Sequence, residues 1–266
     1  MRNYSIGVFL NIFNNNIDDW RQQMDFIGGL DGVEHIEVLL EYLPQTEAEK
    51  KLLLSFLNKY RVIIHAPFMY IAILSPHAEI VLASEKILKK TIIFAHELNA
   101  EVMTMHAERY PNFNSNTTAM EQVLKCLKKL AADAKFPICV ENLSYCGNLQ
   151  IAYPASPQDL INLAKKNLPM TGITLDTGHL LKDGYELYSL IRSLRKAIFN
   201  IHLHGGRKGG AHLSLGTGDL DLEKLLSVLK EINYGNFLSL EVVGQENIKN
   251  SWNLLRNAST GAAENS

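Results

Sequence analysis

Short apolar runs of strand length alternate along the chain with longer segments in which apolar residues recur at helical spacing. The short runs are nearly continuous in apolar character, as expected for strands that are buried on both faces of a parallel sheet. This pattern predicts eight strands, at Tyr4–Phe13, Glu34–Leu40, Arg61–Ala66, Glu101–His106, Pro137–Asn142, Thr171–Asp176, Ile198–His204 and Phe237–Val243.

Helical periodicity marks the segments between these strands, and some of them start at residues that cap helices. Ser156 precedes Pro157 and Asp219 precedes Leu220, and serine and aspartate are favoured N-cap residues. Eight strands alternating with helices predict a (β/α)8 TIM barrel. A doubly wound open sheet is the alternative, but no Gly-x-Gly-x-x-Gly motif follows the first strand. Helices are predicted at Val81–Leu98, Thr118–Ala134, Pro157–Lys166 and Leu220–Glu231.

The domain organisation follows from the same pattern. Residues 1–244 are predicted to form a single TIM-barrel domain, and residues 245–266 a C-terminal helix and flexible tail. The helix of this tail is expected around Trp252–Arg256, and the small, polar residues after it are expected to fray.

Composition narrows the class of protein. The chain of 266 residues is 47% hydrophobic and carries a net charge of −2, which disfavours a nucleic-acid partner. Its three cysteines form no Cys-x-x-Cys pair, which favours a reduced, cytoplasmic protein. The N-terminal apolar run resembles a strand more than a signal peptide, and no stretch is long enough for a membrane span.

The stretch Asn200–Asp219 contains three of the nine histidines of the chain. His202 and His204 share a parity, so their side chains leave an extended segment on the same face. His212 follows a basic, glycine-rich turn that contains Arg207 and Lys208, which are candidates either for a solvated turn or for holding a phosphate oxygen of a substrate. Imidazole is a common metal ligand, so three histidines together indicate a metal site.

Other histidines and carboxylates fall at the predicted strand ends, where barrel enzymes place their chemistry. Successive strands deliver at least one such residue to the same rim. A carboxylate at the end of an apolar strand is costly to bury without a compensating cation, so the set indicates a cluster of divalent ions. The set comprises His65, His106, Glu141, Asp176, His179, His202, His204, His212 and Glu241, with Tyr145 just beyond the fifth strand as a pocket residue.

The short segments around these residues resemble those of the xylose-isomerase-like TIM barrels. That superfamily contains sugar isomerases and epimerases, endonuclease IV-type phosphodiesterases and cobamide-remodelling phosphodiesterases. The resemblance implies a shared metal tetrad of Glu141, Asp176, His202 and Glu241. In the endonuclease IV pattern, His65 and His106 would hold a second ion that shares Glu141, and His179 and His212 a third. The segments that carry the resemblance are HAPF, MHAE, VENL, LDTGH, HLH, HLSLGTGD and LEV.

The chain departs from each pattern in particular places. Gly210 stands where the endonuclease type has the aspartate of its third site, and the glycine-rich segment after the glutamate is missing, which weakens an AP endonuclease assignment. Gly147 and Gly205 stand where the epimerases have a second glutamate and an aspartate. The substrate class therefore stays open between these branches.

Retention of most ligands of the multinuclear pattern favours phosphoester hydrolysis, in which two metals stabilise the attacking and leaving oxygens. The leading prediction is therefore a phosphodiesterase that acts on a sugar-phosphate-containing small molecule, with two or three Zn²⁺ ions and with Mn²⁺ or Co²⁺ as alternatives. Glu141, Glu241 and His179 are the predicted catalytic residues. A sugar isomerase or epimerase on the same tetrad is the alternative, and a barrel that only binds a ligand is the third possibility. The sequence leaves open whether the protein forms an oligomer.

Overall fold

The computed structural model describes residues 2–107, 109–111, 116–145 and 150–261, and in it eight parallel strands close into a barrel. Each strand pairs with its neighbours in the sequence, and the last strand pairs with the first. The predicted (β/α)8 barrel is therefore confirmed. The strands are β1 (Ser5–Ile12), β2 (His35–Leu40), β3 (Arg61–His65), β4 (Val102–Met105), β5 (Ile138–Glu141), β6 (Thr171–Asp176), β7 (Ile198–Leu203) and β8 (Phe237–Leu240).

Helices connect the strands on the outside of the barrel. The N-cap predicted at Ser156 is confirmed, because its side chain accepts a hydrogen bond from the backbone of Asp159. The N-cap predicted at Asp219 is wrong, since Asp221 caps that helix and the amide of Asp219 bonds to Gly206. The helices are α1 (Ile17–Gly28), α2 (Glu47–Leu57), α3 (Ala78–Glu97), α4 (Asn116–Ala131), α5 (Pro157–Ala164), α6 (Thr177–Lys182), α7 (Tyr188–Leu194), α8 (Leu222–Glu231) and α9 (Gln245–Gly261).

Helix α9 packs on the barrel. Trp252 and Leu255 are buried, and the indole of Trp252 donates a hydrogen bond of 2.9 Å to the carbonyl of Asp31. The helix is longer than predicted, because residues 257–261, which were expected to fray, continue it. The remainder of the predicted tail, residues 262–266, lies outside the described residues. Over the described chain, no helix combines the length and the apolar character needed to cross a bilayer.

A histidine is buried inside the barrel at the start of β2. The ring of His35 lies between two serine hydroxyls, with Nδ1 2.9 Å from Ser5 Oγ and Nε2 2.9 Å from Ser239 Oγ. Gly7 leaves room for this ring, because a Cβ there would lie 2.4 Å from it. Burial lowers the pKa of His35 to about 3, so the folded barrel holds this imidazole neutral.

The burial of neutral His35 predicts that the folded protein loses stability as the pH falls. Because the folded pKa of His35 is below the unfolded value of about 6.5, its contribution to stability is present above that value and is lost as the pH falls toward 3. His35→Gln should therefore flatten the fall in unfolding free energy between pH 6 and pH 4 by up to about 1.4 kcal/mol per pH unit. Urea unfolding at several pH values measures this slope. The control is His77→Gln, because His77 is exposed, and equal slopes for all three proteins would contradict the prediction.

Candidate metal centre

Four acidic and imidazole side chains meet at the C-terminal rim of the barrel. Glu141 ends β5, Asp176 ends β6, His202 lies near the end of β7, and Glu241 follows β8. Since parallel strands present their carboxyl ends on one rim, these neighbouring strands bring the four side chains together. One ligand atom from each of the four lies within 4.8 Å of the others. The structure therefore brings together the four residues that the resemblance of the motifs indicated as a metal tetrad.

Glu141 contacts histidines from three other strands or strand ends. Its Oε2 lies 3.2 Å from His65 Nε2, 3.0 Å from His106 Nε2 and 3.2 Å from His202 Nδ1. Its other oxygen lies 3.7 Å from Nδ1 of His179. Only 1% of the Glu141 side chain is exposed, so these imidazoles replace the water that an ionised carboxylate requires. Glu141 therefore lies at the centre of these four imidazoles.

Asp176 has both a structural and a site role. As the N-cap of α6 it accepts a 2.7 Å hydrogen bond from the amide of His179, and it lies 3.0 Å from Nε2 of His204. The side chain of Asn142 clamps the Asp176 backbone through two hydrogen bonds, of 2.9 and 3.0 Å. Asp176 is thus held on three sides before any ligand binds.

The two histidines of the His-x-His motif have different partners, although their parity is the same. His202 Nε2 lies 2.9 Å from Oε1 of Glu37, a buried residue of β2. His204 reaches Asp176 instead, and its Nδ1 lies 2.9 Å from the backbone amide of His212. Because Nε2 of His204 lies 3.0 Å from a carboxylate oxygen of Asp176, we interpret His204 as a residue that orients this carboxylate.

His212 reaches the site on a β-hairpin formed by Gly205–Arg207 and Gly210–Leu213. Its backbone is left-handed, with φ 54°, which is uncommon for a residue with a side chain. Its ring stacks on His204 with a centroid distance of 4.3 Å, and its Nδ1 lies 3.9 Å from Glu241 Oε1. The segment that the sequence marked as a glycine-rich turn is therefore a hairpin that returns His212 to the tetrad.

Two atoms at the centre of the tetrad show that the residues fit a cation. His202 Nδ1 and Glu241 Oε2 are buried without a hydrogen-bond partner, although they lie only 3.2 Å apart. Such groups are costly to bury unless something else binds them. In the described part of the chain, every ion pair made by Glu37, Glu141, Asp176 and Glu241 is with a histidine. A divalent cation would compensate this acidic cluster and satisfy both orphaned atoms.

The electrostatics of the site follow from the same contacts. Burial alone would raise the pKa of Asp176, but His179 and His204 outweigh it and bring the pKa to about 2. Burial likewise disfavours protonated His204, yet Asp176 raises its pKa to about 9. In His202 the nearby Glu37 and Glu141 overcome burial and raise the pKa well above its usual range. The buried carboxylates of the site thus favour positive charge beside them, which a bound divalent cation would supply.

The remaining predicted residues lie at different distances from this centre. Besides the tetrad, two groups of described residues bring donor atoms within 4.8 Å of one another, namely His65 with Glu141 and His202, and His204 with His212 and Glu241. His106 and His179 belong to none of these groups. Arg207 and Lys208 are exposed at the hairpin turn, and Tyr145 is exposed beside Tyr185. Their substrate roles remain predictions.

Several residues that build the site were missed by the sequence interpretation. Glu37 lies under His202, with its Oε1 2.9 Å from Nε2 of that ring. Glu41 accepts hydrogen bonds from the backbone amides of Phe68 and Met69 and fixes the loop after β3. Thr177 bonds to the backbone of His202 and His204. An acidic residue inside an apolar strand was the available signal for Glu37.

A closed parallel barrel with a histidine and carboxylate tetrad at its C-terminal rim defines a class of TIM barrels with a candidate metal centre. Residues 28–259 match the family model described as xylose isomerase-like TIM barrel. The chain belongs to this family, as the resemblance of its motifs predicted. An uncharacterized protein of Methanocaldococcus jannaschii is 27% identical over 205 residues, covering 72% of this chain and 68% of that protein.

Solved structures with the same fold include several sugar epimerases. A D-tagatose 3-epimerase-like protein superposes with a TM-score of 0.82 at 21% identity, covering 98% of both chains. An L-ribulose 3-epimerase has a TM-score of 0.74 at 16% identity and 97% coverage of both. The 3-keto-D-glucoside 4-epimerase of E. coli has a TM-score of 0.72 at 17% identity, covering 96% of this chain and 99% of that one. At these identities the likeness concerns the fold.

Proposed function

We propose that the protein is a metal-dependent sugar isomerase or epimerase that uses Glu141, Asp176, His202 and Glu241 as its metal ligands. The observation that carries this proposal is the convergence of two glutamates on one unpartnered atom. Oε2 of Glu141 and Oε2 of Glu241 each lie 3.2 Å from His202 Nδ1. The fold shared with sugar epimerases supports the same choice. Zn²⁺, Mn²⁺ and Co²⁺ all suit such a ligand set.

The two glutamates supply the acid and base that the reaction requires. One carboxylate removes the proton from the carbon beside a sugar carbonyl, and the other delivers a proton to the opposite face, which inverts that carbon. When bound, the divalent cation would polarise the carbonyl and stabilise negative charge on its oxygen. Glu241 is the more accessible of the pair, with 26% of its side chain exposed, so we assign it the first contact with substrate.

The histidines around the pair then serve to position substrate and carboxylates. His65 holds Oε2 of Glu141, and only 3% of its side chain is exposed. His106 and His179 border the tetrad and are slightly more accessible, so we assign them to sugar hydroxyl groups. These roles require only one bound ion. They also explain why His106 and His179 join none of the compact ligand groups.

Phosphoester hydrolysis is the second candidate function, and one observation favours it. His65 and His106 both point Nε2 at the same oxygen of Glu141, as ligands of a second ion that shares this glutamate would. Hydrolysis by the two-metal route needs that second ion. The comparisons support the epimerase more than this phosphodiesterase, which was the leading prediction from the sequence.

His65→Ala and His106→Ala, prepared separately, distinguish the two functions. With one metal, ketose or aldose conversion should fall by no more than about tenfold, because His65→Ala loses only a hydrogen bond to Glu141 and His106→Ala loses that bond and one contact to a sugar hydroxyl. With two metals, phosphodiester hydrolysis should fall by about 10² or more, because each variant removes a ligand. The measurement is a panel of ketoses, aldoses and bis(p-nitrophenyl) phosphate with Zn²⁺ or Mn²⁺. Hydrolysis without any sugar conversion would overturn the epimerase proposal.

A further inference from the structure

We propose that Glu37 is a positioning residue that holds a proton on Nε2 of His202, so that the Nδ1 lone pair faces the metal tetrad. The role rests on the tetrad of the proposed function but not on the choice of sugar substrate. Glu37 lies in β2, outside the four strands that supply the tetrad, and its side chain is fully buried. A buried carboxylate in an apolar strand requires partners, and the structure shows which ones it has.

The two oxygens of Glu37 receive two different donors. Oε1 lies 2.9 Å from Nε2 of His202, and Oε2 accepts a 2.8 Å hydrogen bond from the side-chain amide of Asn200. An ionised carboxylate can only accept hydrogen bonds, so both neighbours must donate. The proton of a neutral His202 is thereby assigned to Nε2.

The rest of the barrel interior fixes the direction of these bonds. Because Asn200 turns its NH₂ group to Glu37, its oxygen faces Ser239 and accepts from that hydroxyl at 3.2 Å. Ser239 Oγ can then only accept from Nε2 of His35, at 2.9 Å. This leaves Nδ1 of His35 to accept from the hydroxyl of Ser5, also at 2.9 Å. All of these side chains are buried, so water does not compete with this arrangement.

The consequence appears on the other side of the His202 ring. Nδ1 has no hydrogen-bond partner, and it faces the nearest oxygens of Glu141 and Glu241 at 3.2 Å each. A lone pair that faces two carboxylates is repelled by both unless a cation lies between them. Carboxylates that bond to the second nitrogen of a metal-binding histidine fix its tautomer and raise its basicity. Glu37 therefore acts on the metal through His202 and not by touching it.

Glu37→Gln tests this role through metal affinity. Glutamine keeps an acceptor for one neighbour but loses the charge and presents an NH₂ group to the other. The dissociation constant for Zn²⁺, measured by calorimetry, should rise about 10–100-fold. The matched control is Glu49→Gln, since Glu49 is equally a buried glutamate but caps α2. Its Zn²⁺ affinity should stay within about twofold of the wild type, and an unchanged affinity in Glu37→Gln would overturn the proposal.

Nitrogen NMR of histidine-labelled wild-type protein provides a readout that needs no variant. In the Zn²⁺-loaded protein, His202 should carry its proton on Nε2, slowly exchanging and hydrogen-bonded to a carboxylate. A proton on Nδ1 would overturn the assignment even if Glu37→Gln failed to fold. A wild type that binds neither Zn²⁺ nor Mn²⁺ would overturn both the tetrad and this role. Metal binding without sugar conversion would overturn only the proposed substrate.

Discussion

Glu141→Gln is expected to lower sugar turnover by about 10²–10⁴-fold, the range in which a positioned acid or base contributes. This glutamate is a ligand of the proposed tetrad and one of its two proton-transfer groups, and it also contacts His65, His106 and His202. Removal of its charge leaves His65 and His106 without their carboxylate partner and weakens the cation site at the same time. Both the affinity for Zn²⁺ and the turnover at saturating metal should therefore fall.

The measurement is metal affinity followed by steady-state kinetics of the metal-loaded variant. Glu85→Gln is the matched control, since Glu85 is a mostly buried glutamate that pairs with Lys129 at 2.6 Å on the outer helices. This control should lose stability without losing metal affinity. Wild-type turnover in the Glu141→Gln enzyme would show that Glu141 is not a catalytic residue.

Gly178→Ala is the second substitution for which we expect a large effect. A Cβ at this position would lie 2.0 Å from both Cε1 and Nδ1 of the His204 ring. His204 cannot retreat easily, because its ring stacks on His212 and bonds to Asp176. Overpacking of this kind costs about 1–3 kcal/mol of unfolding free energy. Displacement of His204 should also release Asp176 and weaken metal binding.

Urea unfolding and Zn²⁺ titration of the same preparations test this expectation. Gly28→Ala is the control, because Gly28 is also helical and a Cβ there would meet nothing within 4 Å. Its stability should be unchanged or slightly higher, since alanine favours a helix over glycine. If both alanine variants behave alike, the close approach of His204 to Gly178 has no energetic importance.

The sequence pattern predicted the barrel, and the resemblance of its motifs to a known family indicated which four rim residues form the candidate tetrad. Alternation of apolar strands with helical segments specifies the fold class, and parallel strands necessarily end on one rim. For this reason the strand-end histidines and carboxylates, among them Glu141, Asp176, His202 and Glu241, are expected on the same rim. The predicted ends of helices and strands were less accurate. The N-cap of α8 is Asp221 and not Asp219, because two aspartates compete for this position within three residues. Such local choices depend on small free-energy differences.

Only the tertiary structure decided what each histidine contacts. The sequence showed that His202 and His204 share a parity, but barrel closure determines that one meets Glu37 from β2 and the other meets Asp176. Glu37 and His202 are 165 positions apart, so no local pattern relates them. The need for glycine at position 178 likewise arises from a ring that returns from another strand. Local periodicity fixes which residues reach the rim, whereas hydrogen-bond direction depends on neighbours that only the closed barrel brings into contact.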